Sequence, residues 1–413
     1  MTETDDQGSI GELTGDAGPT PGPDNPGADD AAGCDAVWER ALACYLELAA
    51  LADRQMPRLG FFPPAPMVSP SLSSVATVPA EMAAQVMANP VAWFTSERPS
   101  LLEMTGWACA HGRYREAARL ASRQLTFQFL QHRVDDADQM WRAIERAAER
   151  AGDIATCSEA RFHLAWVMAD GGRFADAYTA LDKCIPILEA RGVRGTLAAA
   201  LYWRAFCADM LGLYEVQRDD GERCLGLARQ LREPGIEVMA LRVLALALVR
   251  LGSHDRGIAL CEQAVTLAHE QGQLAWEYYA ITSLAFSLCQ VGRHDSAERC
   301  CRDGIEVSRR LGLCVTGQAY LLGMLGDSFV GRGRYQEAVE AFSQAMTEFE
   351  ENGDLRGQAL CLHKLGRAHI ALGQPAQASE YLHQCFPMFG ELGLPAYEDA
   401  AVRALDECRP LPV

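Results

Sequence analysis

The sequence predicts an all-α fold, a solenoid of antiparallel helix pairs, and two regularities support this prediction. The first is a glycine that recurs at intervals of 40, 40, 40, 41 and 40 residues, at Gly172, Gly212, Gly252, Gly292, Gly333 and Gly373. A period in this range is typical of stacked supersecondary units that share one continuous core. Function is therefore expected on an extended surface, because a solenoid does not enclose a pocket by default.

The second regularity is a set of small and apolar residues at fixed distances from each glycine. Seven residues before it stand Ala165, Ala205, Ala245, Ala285, Gly326 and Gly366. Five residues after it stand Ala177, Gln217, Gly257, Ala297, Ala338 and Ala378, and twelve after it Cys184, Cys224, Ala264, Gly304, Ala345 and Cys385. Spacings of three, four and seven place such residues on one helix face on each side of the glycine. Each unit is thus a helical hairpin that must stack on its neighbours.

An arginine interrupts the aliphatic position eight residues before the glycine. That position holds Leu164, Arg204, Leu244, Leu284, Leu325 and Leu365. A charge at a core position needs a partner, and the sequence offers Asp209 or Glu237 for Arg204.

The repeat resembles the tetratricopeptide repeat. Leu325-Gly326 through Glu337-Ala338 and Leu365-Gly366 through Gln377-Ala378 carry its Leu-Gly, turn and Ala positions, and Phe342 and Ala345 follow at its spacing. The resemblance covers about residues 154–408 and implies a right-handed superhelix, although the family unit has about 34 residues and this one about 40. A second glycine series closes most units, at Gly152, Gly192, Gly272, Gly312, Gly353 and Gly393.

Charge and composition limit the classes of partner. The chain has 413 residues and a formal net charge of −18, and residues 1–35 hold nine acidic residues and no Lys or Arg. We expect residues 1–35 to form a disordered acidic tail. No basic patch stands out, so direct nucleic-acid binding is not expected. No apolar run is long enough to span a membrane, and no secretory signal is present. Ala and Arg usage suggests a bacterial genome.

The cysteines and the absence of catalytic motifs favour a non-enzymatic protein without metal or cofactor. The chain has 15 cysteines, an odd number, without a Cys-x-x-Cys pair. We interpret them as small, reduced core residues of a cytoplasmic protein, with a zinc site as the alternative. The sequence also lacks a Gly-x-Ser-x-Gly or His-Glu-x-x-His motif.

Residues 36–153 form a lead-in region before the repeats, which extend over residues 154–413. A helix is predicted over residues 36–56, then a Pro-rich loop over residues 57–79. Further helices are predicted near residues 80–88, 97–111, 113–131 and 136–151.

The lead-in region is similar to the segment that follows the ATPase module in SARP-type and LuxR-type STAND regulators. The similar residues are Ala41-Leu42, Tyr45-Leu46 and Ala52-Asp53-Arg54, then Trp93-Phe94 with Glu97-Arg98, and Gly112, Ala117, Trp141 and Gly152-Asp153. In that family the repeats are a sensor arm for a nucleotide-driven switch. This sequence has no Gly-x-x-x-x-Gly-Lys-Ser/Thr loop and no basic helix-turn-helix. The sequence fits either a free-standing sensor protein or a remnant of a larger regulator. Such a protein could form a homo-oligomer, or it could associate with a separate ATPase or DNA-binding regulator.

The resemblance also implies a partner-binding groove on the first helix of each pair. In tetratricopeptide repeats, positions 13, 10, 6, 3 and 2 before the turn glycine line the concave side. Here these positions hold Glu159, Phe162, Trp166, Asp170, Tyr202, Phe206, Asp209, Arg242, Arg250, Tyr279, Phe286, Tyr320, Asp327, His363 and Arg367.

Aromatic residues with interspersed charges suit recognition of a peptide or protein segment. Trp166, Tyr202 and Phe206 would be the apolar anchors, while Arg242, Arg250 and Arg367 would meet carboxylates. The alternative is that the rings pack between adjacent helices and widen the core. A constitutive scaffold without switching, or a sensor of a small ligand, also fits the sequence.

Overall fold

The computed structural model describes residues 26–59, 78–131, 133–311 and 316–408, and within these ranges it contains twenty helices and no strand. The lead-in helices are α1 (Pro26–Gln55), α2 (Ala80–Ala88), α3 (Pro90–Ser96), α4 (Arg98–Ala110), α5 (Tyr114–Ser122), α6 (Leu125–Leu130) and α7 (Val134–Arg150). The chain divides after Ala41 into two units, and the larger, Leu42–Val413, contains all helices after α1. No described helix has the length and apolar character that a membrane crossing requires.

Six helical hairpins follow the lead-in and confirm the solenoid that the sequence predicts. They are α8 (Ile154–Asp170) with α9 (Phe174–Arg191), α10 (Arg194–Met210) with α11 (Tyr214–Leu231), α12 (Pro234–Arg250) with α13 (His254–Glu270), α14 (Leu274–Gln290) with α15 (His294–Leu311), α16 (Thr316–Gly331) with α17 (Tyr335–Asn352), and α18 (Leu355–Ala371) with α19 (Pro375–Glu391). The last helix, α20 (Pro395–Glu407), packs on α19. The hairpins stack in chain order as a right-handed solenoid of the tetratricopeptide type.

Each hairpin turns at the glycine that sets the period. Gly172 has φ 78°, in the left-handed region, where a side chain would be strained. The turn is closed by backbone bonds, since Gly172 N–H donates to Ala169 C=O at 3.1 Å and Arg173 N–H donates to Met168 C=O at 2.8 Å. The other five turn glycines have φ between 71° and 84°. The turn position is therefore a backbone requirement, which explains why the sequence keeps glycine there.

The small residues of the repeat lie where the two helices of a hairpin come closest. Ala205, Ala245 and Ala285 are fully buried. A Cβ atom placed on Gly326 would lie 2.4 Å from the Phe342 ring, and one placed on Gly366 would lie 2.6 Å from Leu382 Cγ. These distances are too short for any added carbon. The size of the residue at this position therefore sets how closely the paired helices pack.

The lead-in helices differ from the prediction in three places. Helix α1 begins at Pro26, inside the predicted acidic tail, while residues 1–25 lie outside the described ranges. Helix α3 was not predicted; the Asn89 side chain caps it by accepting from Ala92 N–H at 3.0 Å. The helix predicted over residues 113–131 is two helices, because Gln124 N–H bonds to Ala121 C=O while its side-chain amide donates to Leu120 C=O at 3.0 Å. Most of the Pro-rich loop, residues 60–77, lies outside the described ranges.

Neither partner predicted for Arg204 is correct. The Arg204 guanidinium donates to both carboxylate oxygens of Asp220 at 2.7 Å and to Asp182 at 2.6 Å. Asp220 lies on α11, the second helix of the same hairpin, and its side chain is 2% exposed. Glu237 instead accepts from Arg229 at 2.8 Å. The arginine fits a core position because a paired acid lies directly opposite it in the hairpin.

The thirteen cysteines whose side chains the structure describes are all free, and most are buried. No group of metal-binding side chains is found among the described residues. Burial raises the pKa of the Cys224 thiol to about 12 and that of Cys184 to about 11. These thiols stay protonated at neutral pH, as small core residues do.

Arg232 adopts a left-handed conformation where the second glycine series has a gap. It ends α11 with φ 56° and ψ 42°, whereas Gly192 and Gly272 have φ 66° and 62° at the same place in other units. A left-handed residue with a side chain costs about 1–2 kcal/mol. The link between the second and third hairpins is therefore strained at Arg232.

We expect Arg232→Gly to stabilise the protein by about 1 kcal/mol, because glycine removes this strain at some cost in chain entropy. Urea denaturation followed by circular dichroism would show a higher midpoint. As the matched control, Gly272→Ala introduces the strain without a clash, since a Cβ there meets nothing within 4 Å, and should lower the midpoint. A lower midpoint for Arg232→Gly would contradict this interpretation of the link.

A carboxyl group is buried near the start of the solenoid. Glu159 lies on α8, and burial, helped by the nearby charge of Asp153, raises the pKa of the Glu159 carboxyl to about 7. The folded protein thus favours the protonated acid, while the unfolded chain ionises it near its ordinary value of about 4.3. The stabilising contribution of the protonated form is complete below that ordinary value and is lost as pH rises towards 7.

We expect Glu159→Gln to raise the free energy of unfolding at pH 8, by on the order of 1–3 kcal/mol, and to have little effect at pH 4. The glutamine copies the protonated acid at every pH, so the gain over the native chain should develop between pH 4.5 and 7. Urea denaturation across this range measures it. Glu340→Gln, at an exposed site on α17, is the control and should show no such rise. A gain that does not change with pH would contradict the buried, proton-binding state of Glu159.

Candidate interaction surface on the first helices

The first helices of successive hairpins contact one another from α8 to α20, which places them on the inner side of the superhelix. Side chains from distant first helices lie close enough there to interact electrostatically. The negative charge of Asp170, on α8, contributes to the raised pKa of Tyr279, on α14, although burial is the larger cause. We call this surface the inner face: the exposed and half-buried side chains of α8, α10, α12, α14, α16 and α18 that point towards the superhelix axis.

Three of the aromatic residues predicted to line the partner-binding groove are buried and are not accessible to a partner. Phe162 and Trp166 are fully buried and Tyr202 is 5% exposed. The Trp166 ring lies 6.2 Å from Phe129, in the lead-in region, so it joins that region to the first hairpin. In this conformation these rings pack between helices, as the alternative interpretation expects, and Tyr202 and Trp166 do not offer an accessible anchor.

Arg242 is part of a closed cluster in the middle of the inner face. Its Nε donates to the Ser283 hydroxyl at 2.9 Å, and its guanidinium carbon lies 5.2 Å from the Tyr279 ring centroid. Burial raises the pKa of Tyr202, and Arg242 opposes this increase. These contacts join α10, α12 and α14 and use the arginine for packing.

The predicted residues of the last two hairpins are also paired within the chain. Asp327 accepts from Lys364 at 2.6 Å, and Tyr320 donates to Asp354 at 2.8 Å. Arg367 donates to Glu407 at 2.6 Å, on α20. Burial lowers the pKa of His363 to about 4, which keeps this ring neutral at physiological pH. In the last two hairpins the predicted charged residues of the inner face are therefore paired within the chain, and His363 carries no charge.

One part of the inner face combines aromatic walls with incompletely paired charges. Arg250 lies with its guanidinium carbon 5.0 Å from the Phe286 centroid and 5.6 Å from the Tyr214 centroid. Its Nε is 3.9 Å from Asp209 Oδ1, which is too long for a hydrogen bond. Phe206, half-buried on α10, lies 6.1 Å from the Phe174 ring. We call this group of residues, together with Arg356, the Asp209 centre.

Arg356 completes the Asp209 centre from the other end of the solenoid. It lies in the first turn of α18, and its guanidinium carbon is 5.8 Å from the centroid of Phe174, on α9. Burial raises the pKa of Asp209, while the charges of Arg250 and Arg356 oppose this increase. A side chain of the sixth hairpin therefore reaches the first two hairpins across the inner face.

The sequence prediction missed Arg356, Phe174 and Tyr214. Arg356 stands 17 residues before Gly373, one helical turn beyond the first position that the family pattern assigns to the groove. Extending the same face by four residues finds it. Phe174 and Tyr214 stand two residues after the turn glycines, and they belong to the second helices.

Comparison with known proteins agrees with this architecture. Residues 277–347 and 317–391 match a family model described as tetratricopeptide repeat. No curated protein matches the sequence significantly. Among solved structures, a Rap protein complexed with competence and sporulation factor is 16% identical, with a TM-score of 0.55 over 67% of this chain and 76% of that chain.

A second similar structure is a STAND (signal transduction ATPase with numerous domains) protein with a tetratricopeptide repeat sensor, from Pyrococcus horikoshii. It is 12% identical, with a TM-score of 0.52 over 81% of this chain, which spans half of that protein. At these identities the likeness shows the fold alone. The matching family is a scaffold for protein interactions rather than a catalytic domain. The turn glycines, the small residues between paired helices and the family match over residues 277–391 together show that the hairpins have the tetratricopeptide repeat fold.

Proposed function

We propose that this protein binds a polypeptide segment on its inner face and acts as the sensor arm of a bacterial signalling or transcriptional regulation system. The observation that carries the proposal is the Asp209 centre. There, half-buried aromatic side chains, Phe206 and Phe286, surround an arginine whose ion pair is loose. Aromatic and arginine side chains with unused hydrogen-bonding capacity are the groups that most often anchor protein interfaces.

The shape of the inner face favours a linear partner. The first helices present a strip that runs through several hairpins, so an extended or helical segment can contact more than one repeat at once. The Rap protein of similar fold was solved in complex with competence and sporulation factor, and the STAND protein uses its repeats as a sensor. Both support the proposal by likeness of fold.

A sensor must also have two conformations. The contact between the sixth and first hairpins is a contact that could differ between them. Arg356 and Phe174 meet across the superhelix, although 182 residues separate them in the chain. A single cation–π contact is worth roughly 0.5–2 kcal/mol, so a ligand can compensate for its loss or strengthen it. Such a contact suits a change in superhelix closure on binding.

We expect the full chain to select peptides from a random twelve-residue display library, and the tightest of them to depend on Phe206 and Phe286. The double variant Phe206→Ala with Phe286→Ala removes two apolar contacts, and its dissociation constant, measured by fluorescence anisotropy, should rise about tenfold or more. Tyr178→Ala, also half-buried but on the outer helix α9, is the control and should bind as the native chain does. Circular dichroism checks that both variants remain helical. Failure to select any peptide, or equal binding by the double variant, would count against the inner face.

Binding of the selected peptide should change the radius of gyration of the full chain in small-angle scattering, because the contact between the first and sixth hairpins responds to the ligand. Arg356→Ala without peptide should show a shift of its own, since it removes that contact. Stoichiometric binding with an unchanged scattering curve would instead indicate a constitutive scaffold.

A further inference from the structure

We propose that Arg250 and Arg356 bind one acidic side chain, Asp or Glu, of the partner segment, so that the partner's carboxylate bridges the third and sixth hairpins. The inference rests on the proposed function, since it specifies the chemistry that the same inner face recognises. It concerns the Asp209 centre alone.

The first argument is the state of the hydrogen-bonding groups. Asp209 Oδ1 and Arg356 Nε are both buried without a hydrogen-bond partner among the described residues. Arg250 reaches Asp209 only at 3.9 Å. A buried polar atom without a partner costs free energy, about 1–3 kcal/mol and more for a charged group. The three side chains thus lie near one another without satisfying one another's hydrogen-bonding groups, so these groups can bind a partner's side chain.

The second argument is the balance of charge. Among the residues of the Asp209 centre, two guanidinium groups act on one carboxylate, which leaves one positive charge in excess. The neighbouring acid, Asp354, caps α18 and accepts a hydrogen bond from Tyr320. Two other charged groups of the inner face are matched by one opposite charge each, Asp327 by Lys364 and Arg367 by Glu407. One added carboxylate neutralises the Asp209 centre, whereas a phosphate dianion would leave it negative. The expected ligand group is therefore a monoanion.

The third argument is the aromatic setting of the arginines. The Arg250 guanidinium carbon lies 5.6 Å from the Tyr214 ring centroid and 5.0 Å from the Phe286 centroid, and that of Arg356 lies 5.8 Å from the Phe174 centroid. Cation–π contacts of this kind hold a guanidinium group in place before binding. A guanidinium group held in this way can bind a carboxylate through two parallel hydrogen bonds.

The position of the Asp209 centre indicates which carboxylate the partner supplies. The centre lies along the inner face, with further helices of the strip on both sides of it, so a segment that lies in the strip continues past it. A side chain can reach the arginines from such a segment, while a chain end would have to stop there. We therefore assign the ligand group to an Asp or Glu side chain.

The test uses the full-length protein and two random twelve-residue peptide libraries, both amidated at the C-terminus, of which one contains Asp and Glu and the other excludes them. We expect selection from the acidic library only. For a selected peptide, Arg250→Ala and Arg356→Ala should each raise the dissociation constant about tenfold or more. Asp209→Asn should lower it severalfold, because it removes the internal carboxylate that competes for the same arginines. Arg256→Ala, exposed on the outer helix α13, should have no effect.

The dissociation constant is expected to rise in the arginine variants and to fall in Asp209→Asn, and this difference separates a role in recognition from a role in the fold. If the three residues only hold the fold together, Asp209→Asn weakens binding as the arginine variants do, and the inference is wrong. Equal selection from both libraries also overturns it, and so does selection that requires a free C-terminus when the amide is omitted. In that case dependence on Phe206 and Phe286 would leave the proposed function standing. If neither library yields a binder, the proposed function fails as well.

Discussion

The close approach of the two helices in each hairpin is the constraint on which the rest of the structure depends. At Gly366 and Gly326 there is no room for even one added carbon, and Ala205 at the same position of the second hairpin is fully buried. This contact fixes the angle between paired helices, and stacking repeats that angle six times. Small errors would accumulate along the series, so the return of α18 to α9 depends on every unit keeping the same geometry.

The tight packing also explains why the inner face is less accessible than the family pattern implies. Units of about 40 residues have long helices, and consecutive first helices contact one another along the axis. Rings such as Phe162 and Trp166 then become part of the core, and Arg242 is used to fill the space between three helices. Accessible chemistry remains where charges are not balanced, at the Asp209 centre. Part of the predicted groove therefore belongs to the core, and the proposed recognition is confined to the Asp209 centre.

The sequence predicts features that repeat and fails for features that occur once. The turn glycines and buried alanines follow from backbone and packing rules that act within one hairpin, so their spacing is visible in the chain. The ion pair of Arg204 with Asp220 lies within one hairpin as well, but a single unit carries it, so no periodicity marks it. Contact between Arg356 and Phe174 depends on the pitch of the whole superhelix. No local pattern encodes that pitch, which is why the meeting of Arg356 with Phe174 could not be predicted.

The location of the Asp209 centre links the proposed binding of a ligand to the conformation of the superhelix. Asp209 and Arg250 lie on the second and third hairpins, while Arg356 comes from the sixth. In the proposed mode of binding, a carboxylate held by Arg250 and Arg356 contacts the third and the sixth hairpin, so its binding free energy depends on the distance between them. By linkage, any factor that closes the superhelix raises affinity for that ligand by the same amount that the ligand favours closure. An arginine whose contacts stay within adjacent hairpins, such as Arg242, could not couple the two in this way. The separation of Arg356 from its partners in the chain is thus what makes the contact suitable for a sensor.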